Sequence, residues 1–154
     1  MDAFSQELNH LLADAFWSVL KIEEQAANKV AGGDLSISEM HMLEAVSKDE
    51  EHGRSISELA ADLQITLSSV TIAVNKLVKK GYVEKVRYEQ DGRQVFVKLT
   101  KQGRKVNAGH AYFHENMVRN VSEGMSEEEK EILIKAMQHL NQFFKRKLEQ
   151  KEEL

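Results

Sequence analysis

A polar face on one amphipathic segment carries the side chains best suited to recognising another molecule. Residues 66–81 place apolar side chains at three- and four-residue steps, which predicts a helix. The opposite face combines short hydroxyls, an amide and lysines, the groups that hydrogen-bond to base edges and phosphates in the major groove of DNA. A solvated helix that binds nothing has the same pattern, so the neighbouring elements decide between the two interpretations. The side chains of this segment that we assign to DNA contacts are Ser68, Ser69, Thr71, Ile72, Asn75, Lys76 and Lys79.

Histidines and glutamates in other segments have the composition of a metal site. His110 and His114 lie four residues apart, so on a helix both imidazoles can face one point. Glu23, Glu24 and His41 could join them, and imidazoles combined with a carboxylate form a credible all-N/O zinc site. The alternative is that these histidines are the polar lining of an effector cavity.

The polar helix follows a shorter helix and a tight turn. Ser55 and Glu58 have the spacing of a capping box, which predicts that a helix begins there. The chain then turns through residues 64–65, and two helices joined this closely are typical of a helix-turn-helix, whose second helix is the recognition helix. The apolar, inward face of that recognition helix is predicted to consist of Leu67, Val70, Val74, Leu77 and Val78.

Two strand-like runs, residues 82–88 and 94–99, follow the recognition helix. Between them Asp91-Gly92 is a strong hairpin-turn signal, which places Arg93 at or beside the tip of a two-stranded wing. Residues 54–56 could add a short third strand to this sheet. The order of the elements predicts a winged helix-turn-helix over residues 36–103.

The charge distribution favours a nucleic-acid partner although the whole chain is acidic. The formal net charge is −4, but residues 66–104 hold nine basic and three acidic residues, a net charge of +6, and the remainder carries −10. A basic module on an acidic frame is the pattern expected when phosphate contacts are confined to one surface. Lysines that merely keep a surface soluble would give the same count. Arg87, on the first predicted strand, joins the assigned DNA contacts.

Capping signals and glycines delimit the remaining helices. The first helix is predicted to end near residues 32–33, and a second begins at Ser36 in another capping box. A long helix that Thr100 caps is predicted to run to about residue 121. Gly124 ends it, and Ser126 caps the last helix.

The terminal helices have more apolar surface than the central module can cover. We therefore expect residues 1–33 and 104–150 to be dimerisation helices that pack against a second copy. The two recognition helices of such a homodimer would bind a palindrome in double-stranded DNA with half-sites about one helical turn apart. The expected fold class is mainly α with a small β-wing, in a single domain spanning residues 1–154.

The composition bounds the class of protein. The chain of 154 residues has no cysteine, which excludes a disulfide, a thiolate zinc site and a cysteine redox switch. No charged-plus-apolar leader or membrane-spanning run is present, so we expect a soluble, cytoplasmic protein. Nucleophile elbows, phosphate loops and HExxH motifs are also absent, so we do not expect an enzyme. A helical adaptor protein without DNA affinity is the alternative from another class.

The chain resembles the MarR family of bacterial transcriptional regulators over essentially its whole length. The matching residues are Leu59-Ala60-x-x-Leu63, Val70-Thr71, Val74, Leu77, Gly81-Tyr82-Val83, Asp91-x-Arg93 and Leu99-Thr100-x-x-Gly103. The resemblance implies a winged-helix repressor that binds DNA as a dimer, in which Arg93 enters the minor groove while Asp91 steadies the wing. Insertion of an arginine there suits narrow, A·T-rich DNA.

A closer similarity is to the FabT-type repressors of fatty-acid synthesis genes in Gram-positive bacteria. It rests on Val19-Leu20-x-Ile22-Glu23-Glu24, Ser36-Ile37-x-Glu39-Met40-His41, Phe113-His114-x-x-Met117-Val118 and Gly124-Met125-Ser126-Glu127-Glu128-Glu129. It implies a long-chain acyl group on acyl carrier protein as corepressor. Flexible apolar side chains could line an acyl channel, although they could equally form the dimer core. The effector pocket is assigned to these apolar and aromatic residues together with one histidine: Phe16, Trp17, Met40, His41, Met42, Tyr112, Phe113 and Met117.

The histidines resemble those of a zinc-responsive branch of the same family. That branch carries a glutamate in the first helix, a histidine in the second and a His-x-x-x-His pair in the fifth. The resemblance implies zinc as an alternative effector. No other cofactor is expected.

Overall fold

The residues that the computed structural model describes, 2–88, 92 and 94–149, form six helices and three strands. In chain order these are α1 (Ala3–Ala31), α2 (Ile37–Ser47), β1 (Arg54–Ser55), α3 (Ile56–Leu63), α4 (Leu67–Lys79), β2 (Val83–Val86), β3 (Phe96–Leu99), α5 (Lys101–Ser122) and α6 (Glu127–Glu149). The prediction of a mainly α fold with a small β-wing is confirmed. The chain divides into two compact units, Met1–Phe113 and His114–Leu154.

Side-chain caps begin the helices at the predicted places. In α2 the Glu39 N–H donates to Ser36 Oγ at 3.3 Å, and the Ser36 N–H donates to Glu39 Oε2 at 2.9 Å. Each capping box therefore satisfies two backbone amides that the helix itself leaves without a partner. Residues whose hydroxyls accept from the first turn of a helix in this way are Ser36, Ser55, Thr100 and Ser126.

The turn between α3 and α4 contains a residue in the left-handed conformation. Gln64 has a φ of 54°, and the Ile65 N–H donates to the carbonyl oxygen of Ala60 at 3.1 Å. This arrangement reverses the chain before Thr66 caps α4. The predicted tight turn of a helix-turn-helix is therefore confirmed.

The wing is part of a three-stranded antiparallel sheet with the order β1-β3-β2. Val83 pairs with Leu99, and Arg54 pairs with Val97, so the expected third strand exists. Strands β2 and β3 are shorter than predicted, because the ladder pairs extend only from Val83–Leu99 to Val86–Phe96. At the base of the sheet α5 approaches so closely that a Cβ on Gly103 would collide with the carbonyl oxygen of Tyr82.

The core of the N-terminal unit lies between α2, α3, α4 and the sheet. It includes Met40, Leu43, Leu59, Val70, Val74, Leu77 and Val97, all almost fully buried. Two members of the predicted inward face of α4 are instead exposed, Leu67 by 55% and Val78 by 38%. Leu67 is the first residue of the helix, before α4 reaches the core, and Val78 is rotated by about 100° from Leu77. Ala73 is packed against the core in their place.

The first and last helices leave large apolar side chains exposed. In α1 these side chains include Phe4 and Trp17, exposed by 73% and 76%, and of its described residues only Glu23 and Ala27 are buried. No residue of α6, which is described throughout, is buried. In the part of the chain that the structure describes, no helix is long and apolar enough to cross a membrane.

Replacing Gln64 with glycine is expected to raise the free energy of unfolding by about 1 kcal/mol. A left-handed backbone costs a non-glycine residue about 1–2 kcal/mol, and the greater freedom of glycine in the unfolded chain offsets part of the gain. Urea denaturation followed by circular dichroism measures the change. The control Gln64→Ala keeps the Cβ atom and should bring no gain, so equal stability of the two variants would contradict the assignment of strain to this residue.

Candidate nucleic-acid interface and buried histidine cluster

The outward face of α4 is presented to solvent as a continuous polar stripe. All seven of its predicted contact residues are exposed, and Ile72 remains 58% accessible among them. Three hydroxyls of the stripe already have hydrogen-bond partners, and one of them is that of Ser68, which lies 3.1 Å from Thr66 Oγ1. Thr71 donates to the Leu67 carbonyl oxygen at 2.9 Å, and Ser69 Oγ lies 2.8 Å from Thr66 Oγ1 at the N-cap. Thr71 therefore offers its methyl group and the lone pairs of its hydroxyl oxygen, rather than its hydroxyl hydrogen, to a partner.

Asn75, in the middle of this stripe, has a partner on the wing. The Lys85 ammonium on β2 donates to Asn75 Oδ1 at 2.7 Å. Both side chains are exposed, so this hydrogen bond lies on the surface that α4 and β2 share. Lys85 was part of the basic count but not of the predicted contact residues, and only the three-dimensional pairing of β2 with α4 identifies it.

The basic residues of the segment 66–104 fall into two groups. The side chains of Lys76, Lys79 and Arg87 are exposed and make no hydrogen bond or ion pair with any described residue, so they are available to phosphates. Besides Lys85, three residues have structural partners: Lys80 binds Glu39, Lys98 donates to the Glu51 carbonyl oxygen at 2.6 Å, and Arg104 donates to that of Leu99 at 2.9 Å. The net charge of the segment therefore overstates its capacity for phosphate contacts. The predicted wing-tip contacts Asp91 and Arg93 lie outside the described residues.

An ion pair joins the end of α4 to the start of α2. Lys80 Nζ lies 3.0 Å from both carboxylate oxygens of Glu39 and also donates to the carbonyl oxygen of Asp34. Partial burial raises the pKa of the Glu39 carboxyl, but hydrogen bonds from the Ser36 N–H and from Lys80 outweigh it and hold the pKa below its usual range. Glu39 therefore caps α2 and anchors α4 with the same carboxylate.

Three of the five predicted metal ligands come together between α1, α2 and α5. Glu23 Oε1 lies 2.8 Å from His41 Nε2 and 3.1 Å from His110 Nε2. Glu23 and His110 are buried, whereas the His41 side chain is 44% exposed and gives the group access to solvent. Their potential ligand atoms all lie within 4.8 Å of one another. This donor set of two imidazoles and a carboxylate fits zinc.

Glu24 and His114 are the other two predicted ligands. Glu24 is exposed beside Glu23 on α1. His114 is half-buried and belongs to the C-terminal unit, one helical turn after His110 on α5. The four-residue spacing identified His110 and His114 as a pair in the sequence. Only the rotation of α1 about its axis shows that Glu23 is buried in the cluster while Glu24 is exposed.

The residues assigned to an effector pocket occupy several environments. His41 and Met42 line an open groove of about 810 Å³ between α2 and α4, together with Leu63, Ile65 and Ile72. Met40 is in the core. The aromatic side chains Phe16, Trp17 and Tyr112 are exposed, Phe113 is half-buried, and Met117 is half-buried in the C-terminal unit.

Comparisons with known proteins give relatives over most of the chain. Residues 28–109, from the end of α1 into α5, match a family model described as transcriptional regulator SarA/Rot. Among solved structures, the chain is similar to FabT of Streptococcus pneumoniae in complex with DNA, with 38% sequence identity and a TM-score of 0.84 over 92% of this chain and 98% of that one.

Two further comparisons give more distant similarities. The chain is 24% identical over 133 residues to the HTH-type transcriptional repressor YetL of Bacillus subtilis, which covers 86% of this chain and 71% of YetL. The S. aureus MepR–DNA complex shares 19% identity and a TM-score of 0.67 over 89% of this chain and 94% of that one. At that identity the likeness to MepR concerns the fold alone.

Replacing Glu39 with glutamine tests the anchor between α2 and α4. Glutamine still accepts the Ser36 N–H, so the capping box remains while the charge that holds Lys80 is lost. We expect the variant to be about 1 kcal/mol less stable than the native protein at pH 7. Because the pKa of Glu39 is lowered on folding, its contribution is complete above the unfolded value of about 4.3 and is lost as the pH falls through the folded pKa.

The difference between the two proteins should therefore shrink in urea denaturation at about pH 3.5. Glu44→Gln, at an exposed position on the same helix, is the matched control and should leave stability unchanged at both pH values. A difference for Glu39→Gln that persists undiminished at low pH would show that the ion pair does not cause it.

Proposed function

Since the chain belongs to the MarR family of winged-helix transcriptional regulators, which bind DNA and are not enzymes, we propose that it is a repressor that binds a palindromic operator as a homodimer. The observation that carries this proposal is the exposed polar stripe of α4. Its base-reading side chains lie beside Lys76, Lys79 and Arg87, whose charges have no described partner. Each phosphate that such a charge neutralises makes the negative slope of log affinity against log salt concentration steeper by about 0.9.

The homodimer follows from the apolar surfaces that each compact unit leaves uncovered. In the N-terminal unit these side chains include Phe4, Leu11 and Trp17 on α1, and in the C-terminal unit Ile134 and Met137 on α6. A second copy related by a two-fold axis has the same apolar surfaces. Packing the two copies against each other buries these surfaces without any other partner. The same axis relates two α4 helices, and a spacing of about 34 Å between them fits successive major grooves.

The regulated genes, in this proposal, are those of fatty-acid biosynthesis, with long-chain acyl-acyl carrier protein as corepressor. The support is the resemblance to FabT-type repressors together with 38% identity to FabT of Streptococcus pneumoniae over almost all of that chain.

Zinc is the second candidate effector, and a specific observation favours it. Glu23, His41 and His110 already place three N/O donors within 4.8 Å of one another. Bound zinc would supply a positive charge that binds the three helices together. Of these ligands His41 lies two residues from Glu39 on α2, so zinc would act on the helix that holds the end of α4. An effector that binds one arrangement of the dimer better than another shifts the spacing of the two α4 helices.

One titration distinguishes the two effectors. Fluorescence anisotropy would measure the affinity of the metal-free dimer for duplex DNA from its own upstream region, first alone, then with zinc, then with long-chain acyl-acyl carrier protein. Acyl carrier protein without an acyl chain is the matched control. We expect the acylated form alone to tighten binding, by at least about fivefold as in a typical allosteric coupling.

The other outcomes are equally informative. Tightening by zinc that His110→Ala abolishes would replace the acyl proposal with the metal one. A response to neither effector would contradict both proposals while leaving the DNA-binding function intact. A response to acyl carrier protein with or without its acyl chain would exclude the acyl group as the recognised ligand.

A further inference from the structure

We propose that Lys85 determines base specificity through Asn75, by holding the amide oxygen so that Asn75 presents its N–H donors to DNA. The inference rests on the proposed use of the α4 stripe to read base edges. In it Asn75 touches the base, and Lys85 is a positioning residue on the wing. The two residues are ten positions apart in sequence and joined by a hydrogen bond of 2.7 Å.

The orientation of the Asn75 amide follows from the chemistry of its partner. An ammonium group only donates hydrogen bonds, so the amide atom that faces Lys85 Nζ must be the oxygen. This removes the ambiguity that normally attaches to an asparagine side chain. A hydrogen bond to a charged donor is also stronger than one between neutral groups, so the orientation is preferred over its 180° alternative.

The backbone positions of both residues are well fixed. Lys85 lies in β2, where it pairs with Val97 in the antiparallel ladder, and Asn75 lies on α4 between the buried Val74 and Leu77. The hydrogen bond therefore joins two rigid elements rather than two loops. Both side chains are exposed, so the amide remains accessible to DNA while its oxygen is held.

A held amide oxygen changes which base Asn75 can recognise. Reading adenine requires asparagine to accept from N6 and donate to N7 at the same time. With its oxygen turned towards Lys85, Asn75 offers only the two N–H groups to the groove. Those donors fit an edge that consists of acceptors, as guanine presents with O6 and N7. We therefore infer that Asn75 prefers guanine to adenine at its position in each half-site, and that Lys85 is the cause.

A simpler role for Lys85 gives a different result. If Lys85 only contacted a phosphate, its loss would weaken binding to all sequences equally and would reduce the salt dependence by about one charge. Lys79 provides this comparison, because it is exposed on α4 and its side chain has no partner among the described residues. Lys79→Met is thus the matched control for Lys85→Met.

The test is a comparison of base preferences on a panel of duplexes. An operator selected from random duplexes would be varied to all four bases at each half-site position, and affinities of the native protein, Asn75→Ala, Lys85→Met and Lys79→Met would be measured at several salt concentrations. Asn75→Ala identifies the position that Asn75 reads. At that position we expect the native protein to prefer guanine, and Lys85→Met to shift the ratio of guanine to adenine affinity by about tenfold towards adenine.

Two results would overturn the inference. One is a Lys85→Met variant that weakens all duplexes uniformly, as Lys79→Met is expected to do. The other is a native protein that already prefers adenine at the position that Asn75→Ala identifies. If Asn75→Ala changes the preference at no position, Asn75 reads no base and the premise of the inference fails, whereas a native protein that prefers no base at any half-site position would show that the α4 stripe itself does not read bases. Equal thermal unfolding of the four proteins would establish that each is folded.

Discussion

The burial of one face of α4 is the constraint on which the proposed DNA-binding surface depends. Val70, Val74 and Leu77 are fully buried, and removing such a side chain from water contributes about 1.5–3 kcal/mol each. Their burial fixes the rotation of the helix about its axis, so the opposite side chains, Ile72 and Asn75 among them, must face solvent. A polar contact can adjust one of these side chains, but only the core determines which way all of them face.

Contacts from neighbouring elements then hold α4 along its length. Thr66 caps its start, Lys85 reaches its middle from the wing, and Glu39 on α2 binds Lys80 at its end. Two residues after Glu39, the side chain of His41 bonds to Glu23 on α1. Helix α2 thus contacts α4 from one position and the cluster of Glu23, His41 and His110 from another, so the proposed DNA-binding face and the candidate metal site lie in the same compact unit.

Local patterns in the sequence were sufficient to predict the helices and strands, but not the contacts between residues that are far apart in the chain. A capping box spans about four residues and the hairpin signal about two, so both can be found without knowledge of the fold. The partner of Lys80 lies 41 residues away and that of His110 lies 87 residues away, so spacing alone revealed neither. For the same reason Lys80 entered the basic charge count of residues 66–104 although its charge is paired with Glu39, and the choice of Glu23 over Glu24 stayed open until the structure showed which of the two is buried.

Methylation protection by dimethyl sulfate tests the central claim most directly, because guanine N7 lies in the major groove and adenine N3 in the minor groove. On a selected operator we expect protected guanine N7 atoms in two half-sites related by a two-fold axis. Their centres should be about 10 base pairs apart, or a multiple of that distance, as two α4 helices in separate major grooves require. Protection confined to adenine N3, or to a single half-site, would show that the outward face of α4 does not read DNA as part of a dimer.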